Sequence, residues 1–459
     1  MALTLYHSID KEKKPLENKK GVIKIYSCGP TVYDSPHIGN LRSMISTDLL
    51  NRALNFLNYK TETVINITDI DDKTIKGSQE KKQSLKEFTQ IYTDKFFSDL
   101  AKLNIKLPEH TPKATDFIPQ MIEMIETLIE KDFAYKTTDG IYFSIDKFPD
   151  YGHLIGVQKK DQDKNISRLK IDNYDKEKIA DFALWKFYTP KDGQVKWEAP
   201  FGAGRPGWHI ECSAMAINIL GPTIDIHTGG SDLMFPHHSN EIAQSESYTG
   251  QTFVRHWLHF GMIKINNEKM SKSLNNFLVL DDLLKDNIPP LAFRYLTLGT
   301  HYRSLLNFTD QAIKNAHQAL NNLAKNLFDL KQQTSTTGTV NEEAAEAFKQ
   351  TLENDLNLPQ ALSVVWQTLN NNSIQASDRL ITIYYFDKVL GLNLEAIINK
   401  ANQPPSEITK LHLDRLTARQ QKDWPLADKL RAEIEEANWT IRDISSNNSY
   451  LLPIDFYQQ

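Results

Sequence analysis

Two cysteines, Cys28 and Cys212, are the only ones in 459 residues, and with His237 and Glu241 they form a donor set suited to a borderline-soft metal ion. His237 and Glu241 are four residues apart, so on a helix they project from one face. Cys212 falls in the first turns of a helix read from "HIECSAMAINIL", where the helix dipole favours a thiolate. Cys28 ends the apolar run "VIKIYS" and so stands at the edge of whatever sheet that run joins. A disulfide between them is disfavoured in a reducing compartment. Inert core thiols, a reactive thiol and metal ligation remain open on these residues alone.

A second group of residues suits phosphate chemistry. His37, Gly39 and Asn40 follow the first strand and open a helical stretch, where free backbone N–H groups and the positive dipole end favour an anion. Farther on, "GMIKINNEKMSKSLNN" reads as a strand, an Asn-Asn turn and a polar loop bearing Lys269 and Lys272, two ammonium groups able to close over a leaving pyrophosphate. The plainer readings are a helix cap for Asn40 and a solvated basic turn for the lysines.

These groups need a scaffold. The chain exceeds the roughly 250–300 residues at which single cores stop growing, so several domains are expected. Net charge is −5, with 53 basic and 58 acidic residues, so any nucleic-acid contact must come from local patches. No apolar run has the length of a membrane span or a signal peptide, and a cytoplasmic location is expected. "VIKIYS", the helical spacing from Leu41 to Leu57 and "TETVINIT" make a strand–helix–strand unit, which predicts a parallel sheet. A hairpin is read around Asp139-Gly140, and the charged stretch 158–181 reads as an irregular part of an insertion. Strand–helix alternation resumes near Trp208. "TIDIH" is read as a strand, Gly229-Gly230 as a turn, and "PHHSNEIAQSESYTG" as a helix stopped at Gly250. After Pro289-Pro290 the pattern is helical, interrupted by a linker from Lys331 to Glu343. The last segment reads as one charged helix, "ITKLHLDRLTARQQKDWPLADKLRAEIEEAN", and a short tail. The fold class expected is α/β, a doubly wound parallel-sheet (Rossmann-like) catalytic domain with an insertion, followed by an α-helical bundle and a small C-terminal domain.

The order of the two phosphate strings, "HIGN" and then "KMSKS", resembles the class I aminoacyl-tRNA synthetases. Asn40 stands where their HIGH-type string ends in histidine. "YSCGPTVYD", "NITDIDDK", "GRPGWHIECSAM", "GGSDLMFPHHSNEIAQS" and "KMSKS" together resemble the cysteinyl-tRNA synthetase family. That resemblance implies one Zn2+ on Cys28, Cys212, His237 and Glu241. It implies an amino-acid pocket lined by Gly29, Thr68 and Trp208, with Asp232 accepting the substrate ammonium. ATP is expected against His37, Gly39, Asn40, His227, Gly229, Gly230 and Lys272, accompanied by Mg2+. His37, Asn40, Lys269 and Lys272 are the implied catalytic groups. The implied reaction activates L-cysteine with ATP and passes it to the 3′ end of tRNA(Cys), and zinc–thiolate chemistry excludes serine. The implied division is a catalytic domain over 1–305 with an insertion at about 115–205 and a KMSKS-loop region at about 255–305. An α-helical tRNA-contacting domain at 306–395 and an anticodon-recognition domain at 396–459 complete it, in a protein expected to be monomeric. Trp424, Trp439, Arg415 and Arg442 are the candidates for contact with unpaired bases. A paralogous ATP-dependent ligase acting on an amino sugar and a non-catalytic RNA-binding relative are the alternatives.

Overall fold

β-Branched and apolar residues at Val22–Ser27, Lys60–Ile65, Ile224–Gly230 and Val254–Phe260 build a four-stranded sheet in which every neighbouring pair is parallel. The structure, a computed structural model, describes residues 3–16, 21–156, 181–271, 274, 276–334, 337–445 and 448–458. Its sheet order is Val254–Phe260, Ile224–Gly230, Val22–Ser27, Lys60–Ile65. The chain starts at Val22–Ser27, moves outward to Lys60–Ile65, and returns on the other side with Ile224–Gly230. The order therefore reverses beside Ser27, and ligands of open parallel sheets bind beyond the strand ends at such a reversal. Cys28 is the next residue.

Helix Ile38–Phe56 crosses between the first two strands and buries Leu41, Met44, Ile45, Leu49, Ala53 and Leu54. One apolar core continues from this helix into the helices Pro290–Leu298, Asp310–Gln333, Leu358–Asn370 and Ala376–Leu390. The expected division at residue 306 thus runs through a shared core. A second core lies under Tyr26, Val64, Ile224 and Trp257 and includes the insertion. There the hairpin around Asp139 exists, but it belongs to a four-stranded antiparallel sheet of Ala134–Lys136, Gly140–Phe143, Phe182–Phe187 and Gly204–Pro206. Of the stretch read as irregular, 158–180 lies outside the described residues.

A buried charge cluster joins the helix Ile38–Phe56 to the helical region. The Asp48 carboxylate, on the helix Ile38–Phe56, accepts from Arg294 at 2.6 Å and Arg52 at 2.8 Å, and both of its partners are buried. Arg294 also donates to the carbonyls of Leu390 and Leu103, and Arg52 to those of Asn104 and Lys388. A third buried arginine, Arg42, is 1% exposed and donates to the carbonyls of Gly261, Met262 and Ser304. Burial holds its pKa down to about 10.

Two readings of the C-terminal end are corrected. The charged segment is not one helix but two, Ser406–Gln420 and Trp424–Glu436, because Pro425 cannot continue a helix and is tolerated only in a first turn. Lys422 has φ 61°, and Asp423 caps the second helix by accepting from the Leu426 N–H at 3.1 Å. The tail is a hairpin of Trp439–Ser445 and Asn448–Pro453. Its small cluster of Ile408, Ile434, Trp439, Ile441 and Leu451 is separate from the main cores.

Candidate active site and metal centre

The carboxyl ends of the strands open onto a cavity of about 840 Å3, walled by Cys28, Gly29, His37, Gly39, Asn40, Trp208, Asp232 and Lys269, among others. Cys28 arrives from the end of the first strand, Cys212 from the helix Trp208–Leu220, and His237 and Glu241 from successive turns of the helix His237–Thr249. The four ligand atoms of Cys28, Cys212, His237 and Glu241 lie within 4.8 Å of one another. Cys28 Sγ is 4.0 Å from Cys212 Sγ and 3.7 Å from Glu241 Oε1, and His237 Nε2 is 2.9 Å from the same oxygen. Two sulfurs, an imidazole and a carboxylate at this separation, enclosed from water, fit a tetrahedral zinc-type ion. A second set, Cys28, His227, His238 and Glu241, satisfies the same spacing and shares two of its members.

The surroundings hold the ligands in place. His227 Nε2 is 2.9 Å from Glu241 Oε2, so each carboxylate oxygen has its own imidazole. His209 Nδ1 approaches His237 Nδ1 at 2.9 Å, and the Trp208 ring stacks on the His237 ring at 4.2 Å. Such outer contacts fix the orientation and basicity of metal ligands. The hydrogen bond with Cys28 holds the Cys212 thiol down to about 6 against its burial, with further help from His237. Burial, reinforced by Cys212, pushes Cys28 well up. Burial opposes ionisation of Glu241, but His227 and then His237 hold its carboxyl down to about 2; burial likewise opposes protonation of His237, but Glu241 and Cys212 raise it to about 10.

At the next loop His37 is the N-cap of the helix Ile38–Phe56. Its Nδ1 accepts from the Asn40 N–H at 3.1 Å, and Asn40 Oδ1 accepts from the His37 N–H at 3.3 Å. This reciprocal box leaves Nε2 as the His37 donor and occupies the Asn40 carbonyl, so Asn40 is a cap whatever else it contacts. Asn40→Ala is expected to lower stability by about 1 kcal/mol, read as a fall in the thermal midpoint; an unchanged midpoint would remove the capping role. Gly29 is required by close approach, since a Cβ there would stand 1.7 Å from the Asn66 carbonyl oxygen. The Asn66 side chain accepts from the Gly29 N–H and donates to Thr68, which positions both.

The strand and the Asn-Asn turn ahead of the lysine loop form as read, but Lys269 lies in the returning strand rather than in the loop. Ile263–Ile265 and Glu268–Lys269 pair antiparallel around Asn266 and Asn267, both at positive φ. Asn276 then bridges the loop, donating to the Lys269 carbonyl and accepting from the Ser271 N–H. A Cβ on Gly39 would stand 3.2 Å from the Met270 methyl, so the start of the helix Ile38–Phe56 and the lysine loop pack against each other at one edge of the cavity. Lys272 lies outside the described residues.

Other expectations are corrected. Gly229 and Gly230 do not turn the chain; they complete the strand Ile224–Gly230 and pair with His259 and Phe260. His227, expected at the adenosine, is 0% exposed and stacked on Trp257, so its side chain serves Glu241 instead. Thr68 is likewise buried, behind the cavity wall. Arg415 is buried against Asp443 and Trp439 is in the small C-terminal cluster, whereas Trp424 is 55% exposed and Arg442 pairs with Asp329. Missed in the sequence were His209, His238 and Glu211. His209 and His238 adjoin strings already singled out, in "GWH" and "PHH", and that adjacency was the available signal.

A family model described as "tRNA synthetases class I (C) catalytic domain" matches residues 13–318. The "Cysteine--tRNA ligase" of Protochlamydia amoebophila (strain UWE25) is 43% identical over 461 residues, covering 96% of this chain and 96% of its own. The chain belongs to the cysteine–tRNA ligase family of class I synthetases. Another member of that family, from Chlamydia trachomatis serovar D, is 41% identical and covers 96% of this chain and 98% of its own. The solved structure of Mycobacterium tuberculosis methionyl-tRNA synthetase in complex with methionyl-adenylate matches this synthetase chain with TM-score 0.57 at 16% identity. It covers 84% of this chain and 94% of that one, and shares the class I fold. No described helix of this synthetase chain is long and apolar enough to cross a membrane.

Proposed function

We propose that the protein is a cysteine–tRNA ligase, forming cysteinyl-adenylate and pyrophosphate from L-cysteine and ATP and passing the cysteinyl group to the 3′ end of tRNA(Cys). The observation that carries this reading is the joining of a two-thiol donor set to a phosphate-binding helix start on one cavity, with Cys28 at their junction. Cys28, Cys212, His237 and Glu241 would hold Zn2+, which supplies a contact that a substrate thiolate satisfies and the alcohol of serine does not. A shape-selective pocket alone separates such similar side chains by only about 1–3 kcal/mol.

Trp208, Gly29 and Asp232 orient the amino acid so that its carboxylate meets the α-phosphate, with Thr68 behind them holding the Asn66 side chain that binds the Gly29 N–H. His37 Nε2 and the positive end of its helix stabilise the charge that develops on the transferring phosphate. Lys269 and Lys272 neutralise the departing pyrophosphate from the other side, and Mg2+ accompanies ATP. Catalysis is positioning and charge stabilisation, with no protein nucleophile. Residues 306–395 and 396–459 are assigned to tRNA, Trp424 being the exposed aromatic side chain available for stacking on an unpaired base. The chain is read as a cytoplasmic monomer.

The test is ATP-dependent attachment of labelled cysteine to total bacterial tRNA, with serine in parallel. Charging with cysteine alone is expected, and no charging together with no cysteine-dependent pyrophosphate exchange overturns the reading. Removing metal with a chelator is expected to abolish the exchange and added Zn2+ to restore it. Exchange that survives in verified metal-free protein overturns the metal's role.

A further inference from the structure

The acidic groups around the cavity are almost all accounted for. Asp69 accepts from the Thr115 N–H and hydroxyl, Asp71 caps the helix Asp72–Glu80, and Asp72 is paired with Lys186 and Arg205. Glu241 has an imidazole on each oxygen. Glu211 differs. It is 1% exposed and on the cavity wall, yet neither carboxyl oxygen has a hydrogen-bond partner. A buried acid without partners costs several kcal/mol and is retained where a ligand completes it.

Its position narrows what that ligand offers. Glu211 precedes Cys212 on the helix Trp208–Leu220 and is three residues from Trp208, so those two share a face. The loop facing it carries Thr68, Asp69 and Asp71, and both of these carboxylates are negative when ionised. This end of the cavity therefore favours a cation. Of the groups an α-amino acid carries, only the ammonium qualifies, and its three N–H donors can serve more than one acceptor.

We propose that the Glu211 carboxyl receives the α-ammonium of the amino-acid substrate, sharing this group with Asp232, which lines the same cavity. The inference rests on the reading of the protein as an amino-acid-activating enzyme and assigns it a second determinant of that substrate. Substrates lacking the amino group leave Glu211 unpaired and are rejected for that reason.

The experiment compares the full-length protein with Glu211→Gln, which keeps shape and removes charge. Cysteine KM in ATP–pyrophosphate exchange is expected to rise about 30-fold, roughly 2 kcal/mol, with the ATP KM unchanged. The inhibition constant of 3-mercaptopropionate, which has the thiol and carboxylate but no amine, should stay the same. Thermal midpoint and bound zinc per chain are measured alongside. An unchanged cysteine KM overturns the proposal, and so does equal weakening of cysteine and 3-mercaptopropionate, which marks a structural role. If Glu211→Gln does not fold, Glu211→Asp retains the charge with a shorter reach and is judged on the same pair of constants. Absence of cysteine-dependent exchange in the unsubstituted protein overturns the activity reading itself, an outcome distinct from exchange that ignores residue 211.

Discussion

Cys212→Ser is expected to lower kcat/KM for cysteine activation by on the order of 1000-fold or more, with bound zinc per chain falling toward zero. The substitution nearly preserves volume, so the loss reports chemistry rather than packing. Cys212 is the thiol poised to ionise: its hydrogen bond with Cys28 and the nearby His237 hold it down to about 6, while Cys28 is pushed up. A serine hydroxyl does not ionise in this range and is a poor partner for a borderline-soft ion. The same depressed pKa sets the lower end of a pH dependence. Protons compete with the metal at His237 below about pH 10 and at Cys212 below about pH 6, and Cys28 holds its proton more tightly still, so metal affinity is expected to decline steadily as pH falls, with the last loss on passing about pH 6. Activation is measured by pyrophosphate exchange and metal by a colorimetric chelator. Normal exchange in a metal-free Cys212→Ser protein would remove the thiolate from substrate selection.

Asp48→Asn is expected to give the largest stability loss of a single polar change, about 3–5 kcal/mol. Asparagine keeps the size of the side chain but leaves Arg52 and Arg294 buried without their counter-charge. Both guanidinium groups retain carbonyl partners, so the cost comes from uncompensated charge rather than from missing hydrogen bonds alone. With 459 residues unfolding together, the thermal midpoint should fall by roughly 3–5 °C. A fall equivalent to less than about 1 kcal/mol would mean that the carbonyl dipoles alone stabilise the two arginines.

What was legible in the sequence was whatever a short segment decides locally. The His237–Glu241 spacing fixes a shared helix face, and Asn266-Asn267 fixes a tight turn by its tolerance of positive φ. Gly229-Gly230 was misread because a glycine pair usually marks a turn; here a neighbouring parallel strand supplies the pairing that prolongs Ile224–Gly230. The break at Lys422 was hidden by continuous charge on both sides, although Pro425 was a sufficient warning. The approach of Cys28 to Cys212, separated by 184 residues, depends on strand order, which no local pattern encodes. His227 shows the same limit: its string marked it as functional, but only the fold turns it inward to Glu241. Glu211 had no sequence signal, because its burial arises from the Thr68 loop and the insertion sheet closing over one helix.

Arg42 governs how load passes through the lysine-bearing segment. Its single guanidinium grips the carbonyls of Gly261 and Met262 at one end of 261–304 and of Ser304 at the other, so both ends of that segment meet at one neck. The pairing of Ile263–Ile265 with Leu306–Phe308 braces the same neck. The same segment is also anchored in its middle, where Arg294 reaches Asp48 and the Leu390 carbonyl, and at its Asn266-Asn267 turn, whose N–H groups donate to Phe308 and Asn307. The His37 helix, the lysine-bearing hairpin and the helices beyond residue 306 are therefore stitched to one another at three points, so that a displacement of one is felt by the others.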